Sequence, residues 1–139
     1  MEGHVMGYVF VGIGGMLGAV LRYMLGIWIG AQTGSAFPYP TLLINLVGCF
    51  ILAFFYTITV SRLPVHPHFR TAFGSGFIGS FTTFSTFSYE TFALLHARRY
   101  EIAIIYAVIS VAGGYILAYF GARLGLIKRL SKTRERKDG

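Results

Sequence analysis

The sequence predicts an all-α integral membrane protein with four transmembrane helices, and two observations carry that prediction. Only 12% of the 139 residues are charged and 55% are hydrophobic, whereas a soluble globular domain carries roughly 25% charged residues. Four apolar stretches run from Val5 to Ala31, Pro40 to Ser61, Phe69 to Leu95 and Ile102 to Leu124. Each is about 20 residues or longer, the length that crosses a hydrocarbon core of about 30 Å as a helix. Helices are expected rather than strands because a spanning helix satisfies its own backbone where there is no water.

The first stretch lacks the basic leader of a secretion signal, since only Glu2 and His4 are polar ahead of it, and no small-residue cleavage pattern follows. It reads as a retained span. Its glycines at 12, 14, 15 and 18 are explained by tight helix contact; a dinucleotide fingerprint would need a preceding strand and a soluble βαβ unit. Arg22 follows a seventeen-residue run without charge, residues 5–21. An ionisable residue in a span marks function or a pairing partner. Arg22 either snorkels to headgroups or lines a wet vestibule that attracts anions.

The second stretch contains "TLLINLVGCF", with Asn45 three residues before Gly48. An asparagine amide offers two donors and an acceptor. It serves either as interhelical glue beside a small residue that permits close packing, or as a donor to a passing anion. Cys49 is the single cysteine, which excludes an intrachain disulfide and reads as a small packing residue.

The third stretch is the unusual one. From Ser75 to Ser88, nine of fourteen residues are Gly, Ser or Thr, four are Phe and one is Ile. Gly74, Gly76 and Gly79, followed by Thr82 and Thr83, weaken helix propensity within a few residues, so a break near the middle is expected. Unwound backbone at membrane depth is tolerated only where protein buries it or it lines a cavity. Freed carbonyls suit a small hard cation, and half-helix N-termini suit an anion. Phe84 and Phe87, three apart, share a helical face. They either form a packing stripe or turn their electropositive ring edges towards an anion. Interleaved Thr83, Ser85, Thr86 and Ser88 favour the second reading, because a packing seam would favour Leu and Ala. Glu90 is the only acid in the interior of any span, with a structural hydrogen-bonding role or a transport role open to it.

In the fourth stretch Tyr106 and Ser110 are four apart and share a face, with Gly113 and Gly114 a turn beyond. The two hydroxyls either relay hydrogen bonds along a pore or join helices. Residues 1–125 therefore form the spanning domain and 126–139 a basic polar tail. Lys128, Arg129, Lys132, Arg134, Arg136 and Lys137 supply six of the twelve basic residues behind the net charge of +7. Such a tail reads as an anchor to anionic headgroups rather than a nucleic-acid arm. It argues for both termini inside, whereas the loops are balanced, Arg62 and Arg70 on one side against Arg98 and Arg99 on the other. Four spans with short connections leave no room for a soluble catalytic domain, so no enzymatic activity is expected. A four-helix bundle has a filled core, so a pathway would form between subunits and an oligomer is expected.

The segments "GGMLGAVLRY", "TLLINLVGCF" and "GFIGSFTTFSTFSYE" closely resemble those of the Fluc (CrcB) fluoride channels of microbes, and the resemblance covers everything but the tail. It implies a passive fluoride-selective channel of the bacterial inner membrane that exports toxic fluoride. It also implies an antiparallel, dual-topology homodimer with two pores and a structural sodium ion at its centre. By that resemblance, backbone carbonyls of Gly79 and Thr82 from both subunits hold the sodium. Phe84 and Phe87 turn ring edges to fluoride, and Asn45 supplies a pore amide. Thr83 and Glu90 make polar pore contacts, Tyr106 and Ser110 belong to a hydroxyl track, and Arg22 lies towards the vestibule. Gly114 falls where that track could have continued.

Fluoride is small, strongly hydrated and a strong hydrogen-bond acceptor, so removing its water requires replacement donors, as in other selectivity filters. Two rival functions differ in class. A proton-coupled small multidrug transporter would need a working carboxylate in the first span, which has none. A non-transport scaffold subunit would use the glycines and hydroxyls for packing alone.

Overall fold

The structure, a computed structural model, describes residues 2–63 and 65–135, and the side chains of 5–63 and 65–127. Helix α1 runs Glu2–Thr33 and ends at Gly34, whose φ of +51° is a left-handed conformation that glycine adopts without a Cβ penalty. Helix α2, Tyr39–Ser61, begins with prolines on either side of Tyr39, where the missing N–H groups would have lacked a helical partner anyway. The third apolar stretch is divided. It comprises α3 (Pro67–Thr71), a π-helical segment (Ala72–Ile78), α4 (Gly79–Phe81) and, after two extended residues, α5 (Phe84–His96). Helix α6 runs Tyr100–Glu135.

Among the described residues three helices are long and apolar enough to cross a membrane, over Val5–Thr33, Tyr39–Ser61 and Tyr100–Ile127. The remaining expected span is the divided segment, broken near its middle. No strand occurs among the described residues.

Glycines set how the helices meet. A Cβ on Gly14 would run into the carbonyl of Ala72 and one on Gly18 into that of Phe77, while one on Gly76 would lie 2.6 Å from the carbonyl of Val11. Helix α1 therefore lies directly on the backbone of the π segment, the close approach that small residues permit. Likewise Gly113 faces Leu46, Gly121 faces the carbonyl of Phe50 and Gly125 faces Thr57. These contacts advance together along both helices, so α2 and α6 run parallel. Helix α1 and the Pro67–Phe81 segment advance together in the same way, from Gly7 beside His68 to Arg22 beside Ser80.

Helix α5 returns against α6 and closes a small core of Leu42, Leu94, Ala103 and Tyr106, with Phe37, Leu46, Phe87 and Ile102 packed on it. Large apolar side chains such as Met16, Tyr23, Trp28, Val111 and Tyr115 point outward and exposed, as lipid-facing surfaces do in a chain whose solvent is the bilayer.

Candidate functional site

The site is built on the break in the third stretch. Thr82 donates its N–H to the carbonyl of Ile78 at 2.9 Å, and its hydroxyl donates to the same oxygen at 2.9 Å, the last bonds of the first half-helix. Its ψ of 158° then turns the chain extended. Thr83 follows at φ −148°, ψ 122° and caps α5, its hydroxyl oxygen accepting the N–H of Thr86 at 3.1 Å.

The backbone of Thr83 would be unpaired at membrane depth, a costly arrangement, but Asn45 of α2 engages both of its groups. The Thr83 N–H donates to Oδ1 at 2.8 Å, and Nδ2 donates to the Thr83 carbonyl at 3.0 Å. This reciprocal pair fixes the amide's orientation and leaves one N–H of Nδ2 uncommitted. Gly48, one turn along α2, admits the Thr82 methyl, which would collide with any Cβ there.

A cavity of ≈ 320 Å³ opens at the break, lined by Asn45, Thr82, Thr83, Phe84, Phe87 and Ser110 among others, none of them charged. The Ser110 hydroxyl is buried and has no hydrogen-bond partner, so a donor waits there for an acceptor. The Phe84 and Phe87 rings stand 5.9 Å apart. They differ in support: Phe87 packs on Tyr106 at 5.1 Å, whereas Phe84 is 81% exposed.

A second cavity adjoins this one at Thr83, and a third meets the second at Pro40. Thr83 also lines a cavity of ≈ 270 Å³ with Arg22, Thr41 and Thr86. There Nε of Arg22 donates to the Ser80 carbonyl at 3.0 Å, so this side chain is held at the break rather than extended along α1. Glu90 lines a third cavity of ≈ 450 Å³. Its carboxylate accepts the Thr41 hydroxyl at 2.8 Å and the Tyr106 hydroxyl at 2.7 Å. Tyr106 is wholly buried.

The sequence profile described as CrcB-like protein, Camphor Resistance (CrcB), matches residues 9–122. The chain belongs to the CrcB family. A Bacillus cereus protein named fluoride-specific ion channel FluC 1 is 48% identical over 124 residues, covering 88% of this chain and 90% of its own. A protein of the same name from Moorella thermoacetica is 42% identical over 136 residues, 95% of this chain and 97% of its own. Fluoride-specific ion channel FluC of Acidobacterium capsulatum is 39% identical over 120 residues, covering 86% and 96%. With three helices able to cross a bilayer, this CrcB-family chain is a multi-pass protein of the bacterial plasma membrane.

The structure divides the sequence-predicted residues among neighbouring cavities. Asn45, Thr82, Thr83, Phe84, Phe87 and Ser110 come together. Tyr106 and Ser110 share a helix, yet the Tyr106 proton points to Glu90 while Ser110 lines the uncharged cavity. Gly79 lies in α4, one turn before the break. A Cβ on Gly114 would lie 3.4 Å from Cys49 Sγ, so Gly114 packs beside that thiol on α2. Thr86 enters the sequence reading only as one of the hydroxyls between the rings, and Thr41 is missed there. Thr41 could have been found, since it stands four residues before Asn45 and so on the same helical face.

Proposed function

We propose that this protein is a fluoride-selective channel that passively exports fluoride, working as an antiparallel homodimer with two pores. The observation that carries the reading is the uncharged cavity at the break, where an amide, hydroxyls and phenyl rings converge with no full charge among the lining residues. A dehydrated anion needs donors in place of its water, and it must also leave. A cation in the cavity would bind it too tightly, whereas the free Asn45 N–H, the Ser110 hydroxyl and the electropositive ring edges are individually weak. The relatives named fluoride-specific ion channels, at 39% and 48% identity, support the ion's identity. The parallel runs of the first with the third stretch and the second with the fourth are what four crossings require.

Each residue has a task in this reading. Asn45 holds the break open in one geometry, so the two half-helices keep their ends at the cavity. Phe87, braced on Tyr106, presents a ring edge from within the protomer. Phe84, standing out from it, completes the wall where a second subunit meets the first. Arg22 lies one cavity away, close enough to favour anions in the approach without binding them in the narrow part.

The break also fits a sodium ion. The N–H that would bond the Gly79 carbonyl in a continuous helix is that of Thr83, and it donates to Asn45 instead. Thr82 is extended, so its carbonyl leaves the helical ladder. Oxygen atoms of this kind suit a hard cation. Gly79 and Thr82 of two subunits would hold the ion, and its charge would offset the facing carbonyl dipoles at the dimer centre.

Expression in a bacterium made sensitive by loss of its own fluoride export tests the reading. Growth on fluoride should be restored by the wild type and not by Phe84→Ile produced at the same level. Growth restored equally by both would overturn the role of the ring, and growth restored by neither would overturn the function.

A further inference from the structure

We infer that Arg99 is the anion-collecting residue at the mouth of the conduction path, a proposal that rests on the fluoride-channel reading. The largest of the three cavities, ≈ 450 Å³, ends inward at Glu90 and outward at the turn between α5 and α6, where Arg99 lines it. Glu90 and Arg99 are the two charged residues of its wall. An anion entering here approaches a carboxylate. The Thr41 and Tyr106 hydroxyls donate to it, so its oxygens are hydrogen-bond acceptors, like the anion itself. Acceptor oxygens at the inner end do not attract fluoride, whereas a cation at the rim gives an incoming anion a favourable potential.

The turn holds Arg99 there at the expense of two local preferences. Arg98 donates its N–H to the Leu95 carbonyl at 3.0 Å and Arg99 donates to that of Leu94 at 2.9 Å, the pair of bonds that closes a helix in a Schellman motif. The motif requires a left-handed residue, normally glycine, and here Arg98 adopts it at φ 57°. Arg99 then stands directly before Tyr100, the first residue of α6, where the helix dipole disfavours a cation. Local rules broken together point to function rather than stability. Arg98 supplies the strained turn, and Arg99, exposed on the rim, supplies the charge.

Initial fluoride flux from proteoliposomes, measured at about 0.01 M and about 1 M ionic strength, separates charge from structure because the screening length falls from about 30 Å to about 3 Å between them. Arg99→Gln should slow flux roughly tenfold at low salt, the lower end of electrostatic steering, with the deficit vanishing at high salt. Arg99→Lys, which keeps the charge, should retain wild-type flux at both. An Arg99→Gln channel as fast as wild type at low salt, or slowed equally at both salts, would overturn the proposal. So would an equal loss in Arg99→Lys. Wild-type vesicles that hold their fluoride would instead overturn the channel reading beneath it.

Discussion

Asn45 is the residue that makes an interrupted membrane helix affordable, because both hydrogen-bonding groups of Thr83 end on its amide. Replacing it with Leu leaves one N–H and one carbonyl unpaired, at about 1–3 kcal/mol each. Asn45→Leu is therefore expected to melt well below wild type in detergent and to carry no fluoride. A variant with wild-type melting and flux would show that the break does not depend on this clamp. The two phenylalanines should separate folding from conduction. Phe84→Ile removes a ring that is 81% exposed and should melt as wild type does. Phe87→Ile loses its contact with Tyr106 and should be about 1 kcal/mol less stable, and both should lose flux. At this scale the sequence is informative about residue type and silent about partners. Asparagine in a span announces a polar contact, yet its partner is 38 positions away in the chain. The same holds for Thr41, whose importance appears only once Glu90, 49 positions on, is brought against it.

At the scale of elements, helix lengths were legible from hydropathy and the irregular segment only in part. The first, second and fourth apolar stretches became α1, α2 and α6; α2 nearly coincides with its run, whereas α1 and α6 extend beyond theirs because helical hydrogen bonding continues into polar residues. The glycines of the third stretch predicted weakness, but they did not place it. Gly74 and Gly76 lie in the π segment, where α1 packs directly on them, and the extended residues are Thr82 and Thr83. The reason is long-range: α1 covers the glycine-rich half, and Asn45 waits at the threonines. Glycine positions in α1 can therefore be ranked. Gly18→Val should drive a side chain into the Phe77 backbone and abolish a folded product, whereas Gly12→Val meets nothing within 4 Å and should purify and melt as wild type. Equal behaviour of the two on size-exclusion chromatography and melting would contradict the packing of α1 on the π segment.

Across the whole molecule, the protomer leaves much apolar surface uncovered, and Phe84 with it. Lipid can cover most of that surface, but a wall of the conduction path made from an exposed ring needs a second protein. The chain in mild detergent should accordingly behave as a dimer of the 15.3 kDa polypeptide, and a strictly monomeric protein that still conducts would contradict a path completed between subunits. Orientation was not legible from the charge pattern, since the loop arginines balance and only the tail is asymmetric.

The central claim is that a dry cavity stabilises a bare halide through several weak partial positives and no full charge. A fluoride-selective electrode reading efflux from vesicles of pure protein, with chloride as the competing anion, tests this directly. Rapid release of fluoride with chloride retained, and loss of that release in Phe84→Ile, is the predicted result; vesicles that keep their fluoride, or lose both halides alike, would contradict it.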